Sequence, residues 1–114
     1  MKALLLDERG PRRDASYEDP SLHDGAAMVR VLCGGLGGRD LAAVAGHIPH
    51  TGVLGHEIVG RVESCPADPS LAGAVVAVDP ELPCGVCERC ATGMPKHCRA
   101  MRRLGFGSTD GGLS

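Results

Sequence analysis

Short apolar runs broken by turn residues set the rhythm of this chain. Lys2 to Leu6, Ala27 to Leu32, Glu57 to Val62 and Gly73 to Val78 are the candidate strands. Within the second, Val29-Arg30-Val31 alternates with the period of two that a half-buried strand requires. Turn chemistry lies between them at Asp24-Gly25, Pro66 to Pro69 and Asp79-Pro80. The runs recur too closely for crossover helices to fit, so the chain reads as mainly β. One short helical segment is expected over Arg39 to Ala45, with Leu41 and Val44, three apart, facing inward. From Glu81 to Met101 strand character stops and a separate lobe is expected. No internal repeat or low-complexity tract is present.

Composition narrows this further. At 114 residues the chain is one domain, residues 1–114, with room for a modest core. Tyr17 and Phe106 are its only aromatic residues, so that core is built from Val, Leu, Ile and Ala. The net charge of −2 creates no field that would draw in nucleic acid or acidic lipid. No apolar stretch approaches the ~20 residues of a membrane span. The opening Lys2-Ala3-Leu4-Leu5-Leu6-Asp7 is too short an apolar run for a signal peptide.

The strongest chemical signal is Cys84, Cys87, Cys90 and Cys98, spaced Cys-x2-Cys-x2-Cys-x7-Cys. Two-residue gaps let thiolates converge on one tetrahedral cation at about 2.3 Å per Zn–S bond, and a longer loop returns the fourth. Three other readings compete. A disulfide framework suits a secreted chain, a redox pair needs only one Cys-x-x-Cys, and the bacterial ferredoxin run has a three-residue last gap followed by proline. The spacing favours zinc over all three. Four thiolates leave no open position, so the expected site, in a lobe at about 81–101, is structural. Together with the unpaired Cys33 and Cys65, it favours a reducing cytoplasm.

A second cluster is weaker alone. Gly55-His56-Glu57 follows Val53-Leu54 and precedes Ile58-Val59, which puts an imidazole at the mouth of a sheet. By itself a His-Glu pair is more often a solvated turn than a ligand set. It is not His-Glu-x-x-His, because Gly60 stands where the second histidine would be.

Set in order, these pieces resemble a larger pattern. Val29-Arg30-Val31-Leu32 runs into Gly35-Leu36-Gly37-Gly38-Arg39-Asp40-Leu41. Then come Leu54-Gly55-His56-Glu57-Ile58-Val59-Gly60, Val76-Ala77-Val78-Asp79-Pro80 and the cysteine cluster. The sequence resembles a zinc-dependent alcohol dehydrogenase, within the medium-chain dehydrogenase/reductase family, over nearly the whole chain. The resemblance implies a GroES-like β-barrel with a structural-zinc lobe and little helix, forming the N-terminal part of the catalytic domain.

It also implies a catalytic zinc whose first ligand is the cysteine of Gly-Ile-Cys-Gly-Thr-Asp. This chain has Gly37 there, and Arg39 where the family places a relay hydroxyl. Ligation by Cys33-Gly34 instead would strand Asp40-Leu41 and open a gap. The ungapped match is better, and it leaves Cys33 at a strand end as a small apolar residue. His56 remains a candidate ligand, with Asp40 and Glu57 beside it, and these three are the candidate catalytic residues. His47 and His50 are conceivable replacements for the missing cysteine, although histidines in a Gly/Pro-rich loop more often face solvent. His97 and the basic run Arg99 to Arg103 are expected on the surface of the lobe.

The dinucleotide fingerprint Gly-x-Gly-x-x-Gly is absent, so no cofactor-binding residue is assigned. Gly105-Phe106-Gly107 approaches it, but Asp110 takes the last glycine's place. The run Asp110-Gly111-Gly112-Leu113 before Ser114 reads as a cut within a domain. The expected whole is an oxidoreductase moving hydride between NAD(P) and an alcohol or carbonyl, and this piece alone is expected to be inactive. Two alternatives stand beside it: a non-catalytic zinc-stabilised module, and a zinc-free quinone or enoyl reductase. The family's subunit contacts lie mostly outside this segment, so a homo-oligomer is compatible with it and undetermined by it.

Overall fold

In the computed structural model, which describes residues 1–107 and 109–114, two three-stranded antiparallel sheets and a small lobe account for most of the chain. Strands β1 (Ala3–Asp7) and β2 (Gly10–Asp14) form a hairpin, and β4 (Gly52–Val53) pairs with the other edge of β1. The second sheet has the order β3 (Met28–Gly35), β5 (Glu57–Ser64), β6 (Val75–Val78). A ribbon of β7 (Glu81–Leu82) and β8 (Arg102–Arg103) closes the base of the lobe. The mainly β, GroES-like barrel expectation holds, with helices reduced to α1 (Gly38–Val44), α2 (Glu88–Ala91) and single 3-10 turns.

Strand β5 shows why the pattern was readable. Ile58, Gly60 and Val62 are buried while Glu57, Val59, Arg61 and Glu63 are exposed, so one face packs and the other is solvated. Glycine is required at 60 because a Cβ there would lie 2.8 Å from the carbonyl oxygen of Arg30 on β3. The core comprises Ala3, Leu5 and Val53 with Tyr17 packed on it, and Leu6, Ala43 and Leu54 with Leu4, Ile48 and Leu113 packed on it. It is aliphatic, as the composition demands.

Several expectations need correction. Strand β3 runs three residues beyond Leu32, through a bulge between Val31 and Cys33, and ends at Gly35 opposite Glu57. Cys33 is exposed on it, so it is not a packed apolar residue. Helix α1 forms where expected, but Leu41 and Val44 face solvent, and Asp40 and Ala43 are the buried pair. A spacing of three picks a face without saying which one packs. Strand character also persists at Glu81–Leu82, and β2 and β4 carried too little apolar pattern to be seen. Strand β2, Gly-Pro-Arg-Arg-Asp, is held by pairing and by Arg12 bonding Asp7 and Asp14 at 2.9 and 3.1 Å.

Candidate functional site

Two sites emerge, and the first is the cysteine cluster. Cys87 caps α2 at its N-terminus, Cys90 lies within the helix, and Cys98 follows a 3-10 turn at Pro95–His97 that brings it back. The four sulfurs lie within 4.8 Å of one another. Cys87 Sγ stands 3.6 Å from Cys90 Sγ and 3.9 Å from Cys98 Sγ. A tetrahedron of four 2.3 Å Zn–S bonds has edges of about 3.8 Å, whereas a disulfide needs about 2.05 Å. All six cysteines of the chain are free. This donor set therefore fits a thiophilic cation and not a disulfide framework.

Backbone amides aim at the same sulfurs. Cys84 N–H donates to Cys98 Sγ at 3.2 Å, and Cys87 N–H to Cys84 Sγ at 3.3 Å. The N–H groups of Cys90 and Arg99 hold the Cys87 thiol down at about 6, and those of Val86 and Cys87 lower Cys84. Cys90 goes the other way, pushed up to about 12 by desolvation and then by its neighbouring sulfurs. The opposition has a local cause: backbone N–H groups favour the Cys87 thiolate, whereas burial among neighbouring sulfurs disfavours that of Cys90. His97 is exposed, as expected. Arg99 and Arg103 do more than solvate the lobe, since they approach Glu88 and Glu81 at 3.7 and 3.4 Å.

The second site lies where β3 ends and β5 begins. Because Gly35 is opposite Glu57, the chain leaving β3 must pass His56. Asp40, 2% exposed, holds that junction together. Its Oδ2 accepts Gly37 N–H at 2.9 Å, capping α1 from the third helical position, and its Oδ1 accepts Gly55 N–H at 2.9 Å. Gly55 itself needs a positive φ of 100° to make the turn. His56 Nδ1 is 3.2 Å from Asp40 Oδ2, yet it is buried with no aligned hydrogen-bond partner among the described residues. His56 Nε2 is 3.8 Å from Glu57 Oε1.

The three residues singled out from sequence, Asp40, His56 and Glu57, therefore come together. A Cβ built on Gly37 would lie 3.1 Å from His56 Cε1 and 2.7 Å from Glu57 Oε1. Residue 37 is thus the neighbour of His56, which supports the ungapped alignment, and the place of its side chain is taken by the Glu57 carboxylate. One imidazole and one carboxylate do not make the thiolate-bearing set that a catalytic zinc of this family uses.

Neither loop histidine fills the gap. His47 is exposed, but His50 is 8% exposed, against the expectation of a solvent-facing residue. Its Nδ1 and Nε2 stand 3.1 Å from the carbonyl oxygens of Gly107 and Val53, a setting for N–H donation and not for ligation. Sequence reasoning also missed Asp110, which receives Val53 N–H at 2.8 Å and the Tyr17 hydroxyl at 2.9 Å. Only its Asp-Gly-Gly context hinted at a fixed position.

A mainly β domain that carries both a four-cysteine lobe and a Gly-His-Glu turn fits the catalytic-domain class of medium-chain dehydrogenases. Residues 23–114 match the alcohol dehydrogenase GroES-like domain, and the chain belongs to that family. It is 32% identical to the starvation-sensing protein RspB of Escherichia coli K12 and 34% identical to D-altritol 5-dehydrogenase of Agrobacterium fabrum, each match covering 100% of this chain and 35% of the relative. The crystal structure of RspB from E. coli CFT073, described as a short chain alcohol dehydrogenase complexed with NADH, superposes with a TM-score of 0.87. That match has 31% identity over 99% of this chain and 34% of the other. Alcohol dehydrogenase TADH from Thermus sp. ATN1 gives a TM-score of 0.83 and 27% identity over 100% and 36%. The chain thus spans about a third of the length of these relatives. Among the described residues, no helix is long and apolar enough to cross a membrane.

Proposed function

We propose that this chain is the N-terminal part of the catalytic domain of an oxidoreductase that moves hydride between NAD(P) and a small alcohol or carbonyl compound in the longer protein. The observation that carries it is the junction of Asp40, Gly55 and His56, which keeps an imidazole at the sheet mouth although its neighbour Gly37 bears no ligand. The nicotinamide supplies the hydride chemistry when bound. This chain's own residues shape the wall on which the substrate rests. Asp40 fixes the turn, and His56 and Glu57 offer a nitrogen and a carboxylate at that wall.

The lobe holds one structural zinc through Cys84, Cys87, Cys90 and Cys98. A second reading has one specific support, the Glu57 carboxylate seated in the place of a side chain at 37. It favours a member of the family that works without a catalytic metal, as a zinc-free reductase or a non-catalytic module.

Nicotinamide-dependent turnover by the longer protein is the test, paired with elemental analysis. Turnover with one zinc per chain points to the reductase without a catalytic zinc, and two zincs restore a metal-assisted dehydrogenase. No turnover on a panel of polyols, aldehydes, quinones and enoyl compounds leaves the non-catalytic module. The 114-residue chain alone is expected to be inactive, because it encodes no nicotinamide fingerprint.

A further inference from the structure

We infer that Arg39 is an oxyanion-binding group at the rim of the His56 turn, so that the substrate carries a phosphate or carboxylate besides its reacting carbon. The word substrate rests on the oxidoreductase reading, while the anion site rests on geometry alone.

Arg39 lies two residues beyond Gly37, whose Cβ position abuts His56 and Glu57. The side chain is exposed, and its guanidinium carbon sits over the ring of Phe106, 5.4 Å from the centroid, within cation–π range. Phe106 is fixed in turn. Its backbone exchanges two hydrogen bonds with Thr109 at 3.2 and 3.1 Å. The preceding Gly105 is pressed against the same turn, since a Cβ there would lie 2.8 Å from the carbonyl oxygen of Gly55. Through these contacts the cation and the ring lie next to the turn that carries His56.

The charge is also unspent. Among the described residues Arg39 makes no ion pair. Both oxygens of Asp40 are taken by Gly37 and Gly55, and the Glu57 carboxylate is turned toward Gly37 and His56. A guanidinium resting on a ring keeps N–H donors at its edge, and that fork matches two oxygens of a phosphate or carboxylate. Because the ring already restricts the arginine stem, less entropy is lost when the anion arrives.

The test is a titration of the isotope-labelled chain with inorganic phosphate and, separately, with acetate, at constant ionic strength. The signals followed are the Arg39 Nε–H and the Phe106 ring protons. A saturable shift is expected, weakened at least about tenfold by Arg39→Gln and less by Arg39→Lys, which keeps the charge without the fork. A larger response to phosphate marks a phosphoryl group, and a larger one to acetate marks a carboxylate. Shifts that fail to saturate, that chloride reproduces, or that survive in the Gln variant overturn the inference. An unchanged Val53 amide signal establishes that the variants fold. The titration needs neither nicotinamide nor turnover, so its failure leaves the oxidoreductase reading to its own assay.

Discussion

Tyr17 donates its hydroxyl to Asp110 at 2.9 Å, joining residues 93 positions apart. The second carboxylate oxygen takes the backbone N–H of Val53, a residue with no exposed surface. One side chain thereby ties the segment after β2, the short strand β4 and the last residues of the chain into a single unit.

Replacing Asp110 with Ala orphans the Val53 N–H. An unsatisfied buried donor costs about 1–3 kcal/mol, so a loss in that range is expected in urea denaturation. Tyr17→Phe removes only the partly solvated contact and should cost distinctly less. Equal losses would show that the two contacts do not divide the work this way.

Asp40 supports the site's geometry through two backbone bonds. In Asp40→Asn one oxygen becomes an NH2 group, which confronts the Gly37 or Gly55 N–H that the oxygen had accepted. Loss of a charge-assisted hydrogen bond costs about 1.5–3 kcal/mol, and a destabilisation of that order is expected. Amide exchange at Gly37 and Gly55 should accelerate with it, whereas amides of the lobe keep their protection.

Cys84→Ser should remove the bound metal and lower the melting temperature, because a structural zinc supplies folding free energy and a hydroxyl is a poor replacement for thiolate. A chelator should have the same effect on the wild type and none on the variant. A metal content near zero in the untreated wild-type protein contradicts the closed-site assignment.

Gly60→Ala places a methyl group against the Arg30 carbonyl across the β3–β5 pair. Overpacking of this kind costs about 1–3 kcal/mol, and Val62→Ala on the same face provides a cavity-forming comparison. A neutral Gly60→Ala would mean that the two strands separate more easily than their pairing indicates.

Two ionisable groups set opposite pH limits. Hydrogen bonds from Arg9 and then Arg12 hold the Asp7 carboxyl well below the usual range. Its contribution is therefore present above the ordinary carboxylate pKa and lost as pH falls through the depressed one. The Tyr17 hydroxyl is raised, first by its bond to Asp110 and then by desolvation. Its contribution is intact below about pH 10 and fades as pH rises through the elevated value. Urea midpoints across pH should show Asp7→Asn flattening the acid limb alone and Tyr17→Phe the alkaline limb alone.

Much of this was legible in one dimension because the deciding physics is local. The Cys-x2-Cys-x2-Cys spacing limits where three sulfurs can go. The alternation Val29-Arg30-Val31 assigns each residue to a face whatever the partner strand, and a glycine at 37 cannot ligate metal in any fold. By themselves these residues established a mainly β chain, a metal-fitting lobe and a family ligand set lacking its first member. What the sequence left undecided depended on contacts between distant segments. Which side of α1 is buried follows from the sheet it meets, and β2 and β4 exist because β1 supplies their hydrogen bonds. The inward turn of His50, the reach of Asp110 to Tyr17 and the seating of the Glu57 carboxylate beside Gly37 bring together groups whose separation along the chain carries no information about their distance in space.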